Sequence, residues 1–216
     1  SSCRIGRDYI VANYSELNDI VQNVIGEKFL RNQNLCKLLS CYPDTVDYTY
    51  NPLSQPDIKD TNSLYMKHIF PMPKMPDASL DKTGYITVVL SGGYEPEVNT
   101  GYRRVNMLID IIYHLDVWNI KGGYRPYKVM NEIDAMLNNK LTDLPIENKP
   151  FLRGFQPRDY STYFYGFQMI YEFMVNSNII CGAEPQHLNL NKVNEYPESL
   201  SQKPAYRFLP KNLGLK

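Results

Sequence analysis

GYITVVLSGGYEPEVNTGYRRVNMLIDIIYHLDV, residues 84–117, decides how this chain folds. Its second half alternates. Val105, Met107, Ile109, Ile111, Tyr113, Leu115 and Val117 fall on one face of an extended chain. Asn106, Leu108, Asp110, Ile112, His114 and Asp116 fall on the other. Alternation this long has the period of a strand, not of a helix. The apolar face needs a cover. GYITVVLS (84–91) is the first strand of the pair. SGGYEPEVNTGYR (91–103) is a projecting loop, too long for a tight turn, with Gly92, Gly93 and Gly101 as hinges. It is no phosphate cradle, because it lacks GxGxxG and Glu95 and Glu97 repel phosphate.

The cover comes from either side. Ser15 reads as a helix N-cap, followed by Leu17, Ile20, Val21, Val24 and Ile25 at helical spacing. Gly26 weakens or ends that helix, and Leu30, Leu35, Leu38 and Leu39 continue a broken stripe that Pro43 stops. The first 42 residues therefore give one bent helix or two short ones. Residues 43–83 are a proline-rich insert, mostly irregular, with LYMKHIF (64–70) as a short strand along a sheet edge. Its PMPKMP run (71–76) reads as a stiff connector rather than a polyproline ligand. Beyond the long strand, KGGY (121–124) is a turn, and Pro126 opens a helix with Val129, Met130, Ile133, Met136 and Leu137 on its apolar face. FLRGF (151–155) is a short strand and QPRD (156–159) a turn. YSTYFYGFQMIYEFMV (160–175) alternates again, with Tyr163, Tyr165 and Tyr171 on one face. Residues 177–216 read as an extended arm beside a domain spanning 1–176. The fold class is α+β: a mainly antiparallel sheet of long strands with helices on one face.

Composition narrows the function. With 23 basic and 23 acidic residues, the formal net charge is zero. A general nucleic-acid binder carries a basic excess, so this balance opposes one and favours self-association. Eighteen tyrosines suit surfaces that are dry on one side and wet on the other. The four cysteines (Cys3, Cys36, Cys41, Cys181) form no CxxC pair and read as reduced thiols. No apolar run reaches the ~18 residues of a membrane span, and the N-terminus has no signal-peptide core.

No strong catalytic motif appears. Asp110 and Asp116 are ~20 Å apart on an extended strand, too far to share a metal or divide acid and base roles. His114 and Asp116 have no nucleophile beside them. Asp110 with Glu147-Asn148-Lys149, an E-x-K step, is the nuclease alternative, but that step sits in a proline-flanked linker. His68 and His187 stand alone. The expectation is a non-enzyme without cofactor or metal.

The order of parts, with YHLDVW (113–118), RPYKVMNEIDAML (125–137) and YSTYFYGFQMIYEFMV (160–175), resembles the tail terminator (tail completion) proteins of tailed bacteriophages. In that pattern a strand ends near an aromatic, and a proline opens a helix with a Glu-Ile-Asp step. A strand then follows. The likeness covers about residues 15–42 and 84–176; the insert at 43–83 and the arm at 177–216 depart from it. The resemblance implies a virion protein assembled in the host cytoplasm. It would form a hexameric ring on the tail tube, stop tube growth and meet the head connector or stopper, with sheath or collar proteins as further partners. DNA would pass the lumen without sequence readout. Tyr94, Glu95, Glu97, Tyr102 and Arg103 would face the tube, and Tyr163, Tyr165 and Tyr171 the neighbouring copies. A head-side stopper or adaptor is the alternative.

Overall fold

The computed structural model describes residues 14–76, 82–94, 102–140, 146 and 148–176. In chain order it contains α1 (Tyr14–Asn23), a π-helical turn (Val24–Phe29), α2 (Gln33–Ser40) and β1 (Ile69–Phe70). Then come β2 (Gly84–Tyr94), β3 (Tyr102–His114), β4 (Asn119–Ile120) and β5 (Gly123–Tyr124). The last elements are α3 (Arg125–Leu137), β6 (Phe151–Asp159) and β7 (Phe164–Asn176). The main sheet runs β1-β2-β3-β7-β6, antiparallel except for β1 against β2. The fold is α+β, with a five-stranded sheet and three α-helices among the described residues.

The alternating face of β3 is the centre of the core. Val105, Met107, Ile109, Ile111 and Tyr113 are buried, and so are their β7 partners Phe173, Tyr171, Met169 and Phe167. α1 and α2 pack against β2, and α3 packs against β3 and β7, which supplies the expected cover. The first helix begins at Tyr14, so Ser15 lies inside it rather than capping it. Gly26 falls within the π-turn, and Asn32 caps α2 by accepting from the Leu35 N–H at 3.0 Å. β1 lies at the sheet edge as expected, but it is only Ile69–Phe70 and not the whole of 64–70, because a 3-10 helix over Thr61–Leu64 and the turn that follows it take up the Lys67 and His68 N–H groups.

Four boundaries differ from the sequence reading, each for a local reason. β2 runs on to Tyr94 and β3 starts at Tyr102, so the connection is 95–101 rather than 91–103. Gly92, at φ 102°, sits at a bulge that bends the strand without ending it. Leu115 and Val117 leave β3 for a 3-10 turn, because the His114 ring accepts the Asp116 N–H at 3.1 Å and caps that turn. Residues 156–159 are not a turn: β6 continues through Pro157, which an edge strand tolerates. The turn is instead at 160–163, and β7 starts at Phe164.

Arg125 locks α3 to α2 and was missed in the sequence. Fully buried, it donates through Nε to the Val117 carbonyl (2.9 Å). Its Nη1 donates to the carbonyls of Leu38 (2.7 Å) and Cys41 (3.1 Å). Two of these acceptors lie at the C-terminal end of α2, where the helix dipole favours a cation. Its guanidinium also lies over the Tyr42 ring, 4.8 Å from the centroid. Tyr113 donates to the same Leu38 carbonyl at 3.1 Å. Its ring occupies the space a side chain would need at Gly84, its register partner.

Candidate interaction surface

The face of the sheet away from the helices carries a carboxylate, and its partners define what it can do. Asp110 accepts from Thr87 Oγ1 (3.1 Å), Tyr160 OH (2.8 Å) and Gln168 Nε2 (2.9 Å). Gln168 in turn accepts from Gln156 (2.9 Å) and Arg158 (2.7 Å). Burial, then the charge of Asp110, pushes the Tyr160 hydroxyl well above its ordinary range, which keeps it a donor. The network ties the 160–163 turn and β6 to the centre of the sheet. Three donors on its two oxygens make this carboxylate a clamp between strands.

Along one end of this face an aromatic row crosses the strands. Phe70, Tyr85, Phe164, His114 and Tyr163 follow one another at centroid distances of 5.9, 6.1, 5.2 and 5.9 Å. His114 is thus committed to packing and capping. Asp116 lies off the strand and pairs with Lys82 at 3.0 Å. His68 is buried against the Gly84 carbonyl at 2.9 Å, and burial lowers its pKa. Among the described residues, no three His, Cys, Asp or Glu side chains are grouped to hold a metal. Glu147 and His187 lie outside the described residues.

The helix side of β6 is different. Phe155 shares the face of Met169 and meets Phe167 at 6.2 Å, yet it is 56% exposed. Phe167 also contacts Tyr127 (4.9 Å) and Trp118 (6.2 Å), and Tyr127 contacts Tyr124 (6.2 Å). Beside them lies a groove of about 290 Å³, lined by Leu115, Trp118, Pro157, Arg158, Asp159, Tyr165, Gly166 and Phe167. Tyr124, Tyr127 and Leu115 are about half exposed. Such a concave aromatic surface at an open sheet edge suits a protein contact. The sequence reading missed Phe155, Trp118 and Tyr127. Their signal was an aromatic at the end of FLRGF on a strand whose true length Pro157 concealed.

The residues singled out from sequence scatter. Tyr165 lines the groove. Tyr163 is exposed in the turn and stacks on His114. Tyr171 is a correction: it is fully buried, its hydroxyl bonded to Asp134 at 3.0 Å, and it offers nothing to a neighbouring copy. Tyr94, Tyr102 and Arg103 sit at the loop end of the β2–β3 hairpin, beside the 95–101 connection. Glu95, Glu97 and the arm at 177–216 lie outside the described residues. No helix among the described residues is long and apolar enough to cross a membrane.

Comparison with known proteins adds one finding. No curated protein matches the chain. The family model YomW matches residues 32–173, from the cap of α2 to the body of β7, well over half of the chain. This chain therefore belongs to the YomW family, a phage-derived, Bacillus prophage-type protein family.

Proposed function

We propose that the chain is a structural phage protein of the tail terminator type. It forms a ring on the head-proximal end of the tail tube, ends tube polymerisation and joins the tail to the head connector. The observation that carries this reading is the aromatic flank of β6, exposed among the described residues, in a chain of a phage family. The order of hairpin, Pro126-led helix and long aromatic strand supports it. The mechanism is steric and interfacial. One side of the ring copies the end of the tube, and the other side does not, so tube subunits stop adding. The β2–β3 hairpin end, with Tyr94, Tyr102 and Arg103, is the part assigned to the tube. DNA crosses the lumen without sequence readout, and no cofactor takes part.

Electron microscopy of particles assembled without this protein tests the reading. Overlong, variable, unattached tails are the expected result. Normal-length tails that fail to join heads would move the protein to the head side of the neck. Intact infectious particles would overturn both.

A further inference from the structure

The two edges of the main sheet carry different apolar surfaces. At the β6 edge is the aromatic groove. At the β1 edge, Tyr65, Met66, Met72 and Met75 flank a two-residue strand, and Met75 is 71% exposed. Met66 holds φ 59°, a left-handed conformation that a residue with a side chain adopts rarely. Its N–H closes a turn onto the Ile69 carbonyl at 2.9 Å, with its side chain left exposed. The segment after β1 is held in place. Lys74 Nζ lies over the rings of Phe70 (4.8 Å) and Tyr85 (5.7 Å), and Pro76 is buried. The methionines are thus displayed on a fixed support. Strained backbone that keeps an apolar side chain in water is a mark of a functional surface.

We infer that these two surfaces are halves of one contact: the β1-edge methionines of one copy seat in the aromatic groove beside β6 of the next. The inference rests on the ring reading above and names the surface that builds the ring. Size supports it. Four half-exposed side chains around the groove, at ~200 Å² for each aromatic, give roughly 400 Å² of apolar surface. That is about the apolar half of the ~800 Å² a side that a stable interface buries. Chemistry supports it too, since a thioether packs favourably against aromatic rings and adapts to an irregular groove. With zero formal net charge, copies do not repel one another at long range.

Geometry selects the pairing. β1 and β6 are opposite edges of one sheet, so joining them is heterologous, the kind of contact that builds a ring when its rotation closes. The alternative, β6 against β6, meets an obstacle. Met174 donates to Asn148 on the β6 side of β7, and alternation turns Ile170, Gln168 and Gly166 the same way. Their partners Gly154, Gln156 and Arg158 therefore face β7. The main-chain groups of Phe155, Pro157 and Asp159 point to the open edge. Proline has no N–H to give there, so two β6 edges would lose a donor from each side at the middle of the ladder.

The test uses the full chain and two exposed-surface variants, Phe155→Asp and the pair Met72→Asp with Met75→Asp. Circular dichroism melts first show that each variant remains folded. Sedimentation velocity over a concentration series then reads assembly. Each variant alone is expected to associate at least about tenfold more weakly than the natural chain. An equal mixture should form dimers and stop, because one intact groove meets one intact methionine edge and both outer ends are blocked. Normal assembly by either variant, or full rings or no dimers from the mixture, overturns the pairing. A natural chain that stays monomeric at every concentration also overturns it. The tail-length experiment is read separately, so a ring built through other surfaces is told apart from no ring at all.

Discussion

One side of the sheet is treated in two ways. Over β2, β3 and β7, Ile86, Val88, Ile109, Met169 and Tyr171 lie fully beneath helices. One strand further, on the same side, Phe155 and Pro157 face solvent. The helix positions account for this. α1 and α2 pack against β2 and α3 against β3 and β7, which leaves the outer strand β6 beside them. The difference teaches that β6 is not a weak part of the core. It is core chemistry left exposed among the described residues.

If that division holds, substitutions under the helices cost stability and substitutions along β6 cost contacts. The largest effect is expected at Gly166, which lies on the face away from the helices but in the central β3–β7 pair that carries them. An added Cβ would stand 1.7 Å from the Ile111 carbonyl oxygen, backbone that cannot move without parting β3 from β7. Gly166→Ala should lose about 3 kcal/mol or more, read as a lower urea midpoint or as failure to fold. A change within ~0.5 kcal/mol would mean that the two central strands are not the rigid frame. Arg125→Met comes next. It keeps the apolar stem but leaves the carbonyls of Val117, Leu38 and Cys41 without this donor, at a cost of roughly 2–3 kcal/mol. An unchanged midpoint would show that α3 docks by apolar contact alone.

The covered half was legible in the sequence and the uncovered half was not. Period-2 alternation in 104–113 placed β3, and the helical spacing of Met130, Ile133 and Leu137 placed α3, because burial on one face writes itself into the pattern. β6 has no such pattern. Arg153, Gln156, Arg158 and Asp159 are exposed around Phe155, and Pro157 reads as a breaker unless the strand is known to be an edge. Arg125 was hidden for a different reason. Its partners are main-chain carbonyls from α2 and the 3-10 turn, and carbonyls leave no trace in residue identity. Tyr171 and Tyr165 share a face of β7, yet only the structure tells that α3 buries one and the other reaches the groove.

Alkaline pH separates the halves without mutation. Burial pushes the Tyr42 hydroxyl up to about 12, against the lowering effect of Arg125, and it pushes Tyr113 and Tyr171 up as well. Unfolded tyrosine ionises near ~10. Below that pH both states keep the Tyr42 proton, so this residue adds no pH dependence. From about 10 to 12 the unfolded chain releases the Tyr42 proton and the folded chain holds it. Stability then falls by about 1.4 kcal/mol per pH unit for that residue alone. Urea midpoints at rising pH should show this decline, and Tyr42→Phe should make it shallower. A decline of the same steepness in the variant would remove Tyr42 as a source.

The smallest stability effect carries the most information about the division. Tyr171→Phe removes one hydroxyl bonded to Asp134 under the helices and should cost about 1 kcal/mol. Phe155→Ser removes a whole ring from β6 and should cost within ~0.5 kcal/mol, since over half of that ring already meets water. Deleting one oxygen would then matter more than deleting an aromatic side chain on the same side of the same sheet. If Phe155→Ser instead costs several kcal/mol, the ring is part of the core and β6 is no open flank. If the midpoint holds while self-association is lost, the stability of the fold and the use of its edge are set by separate residues.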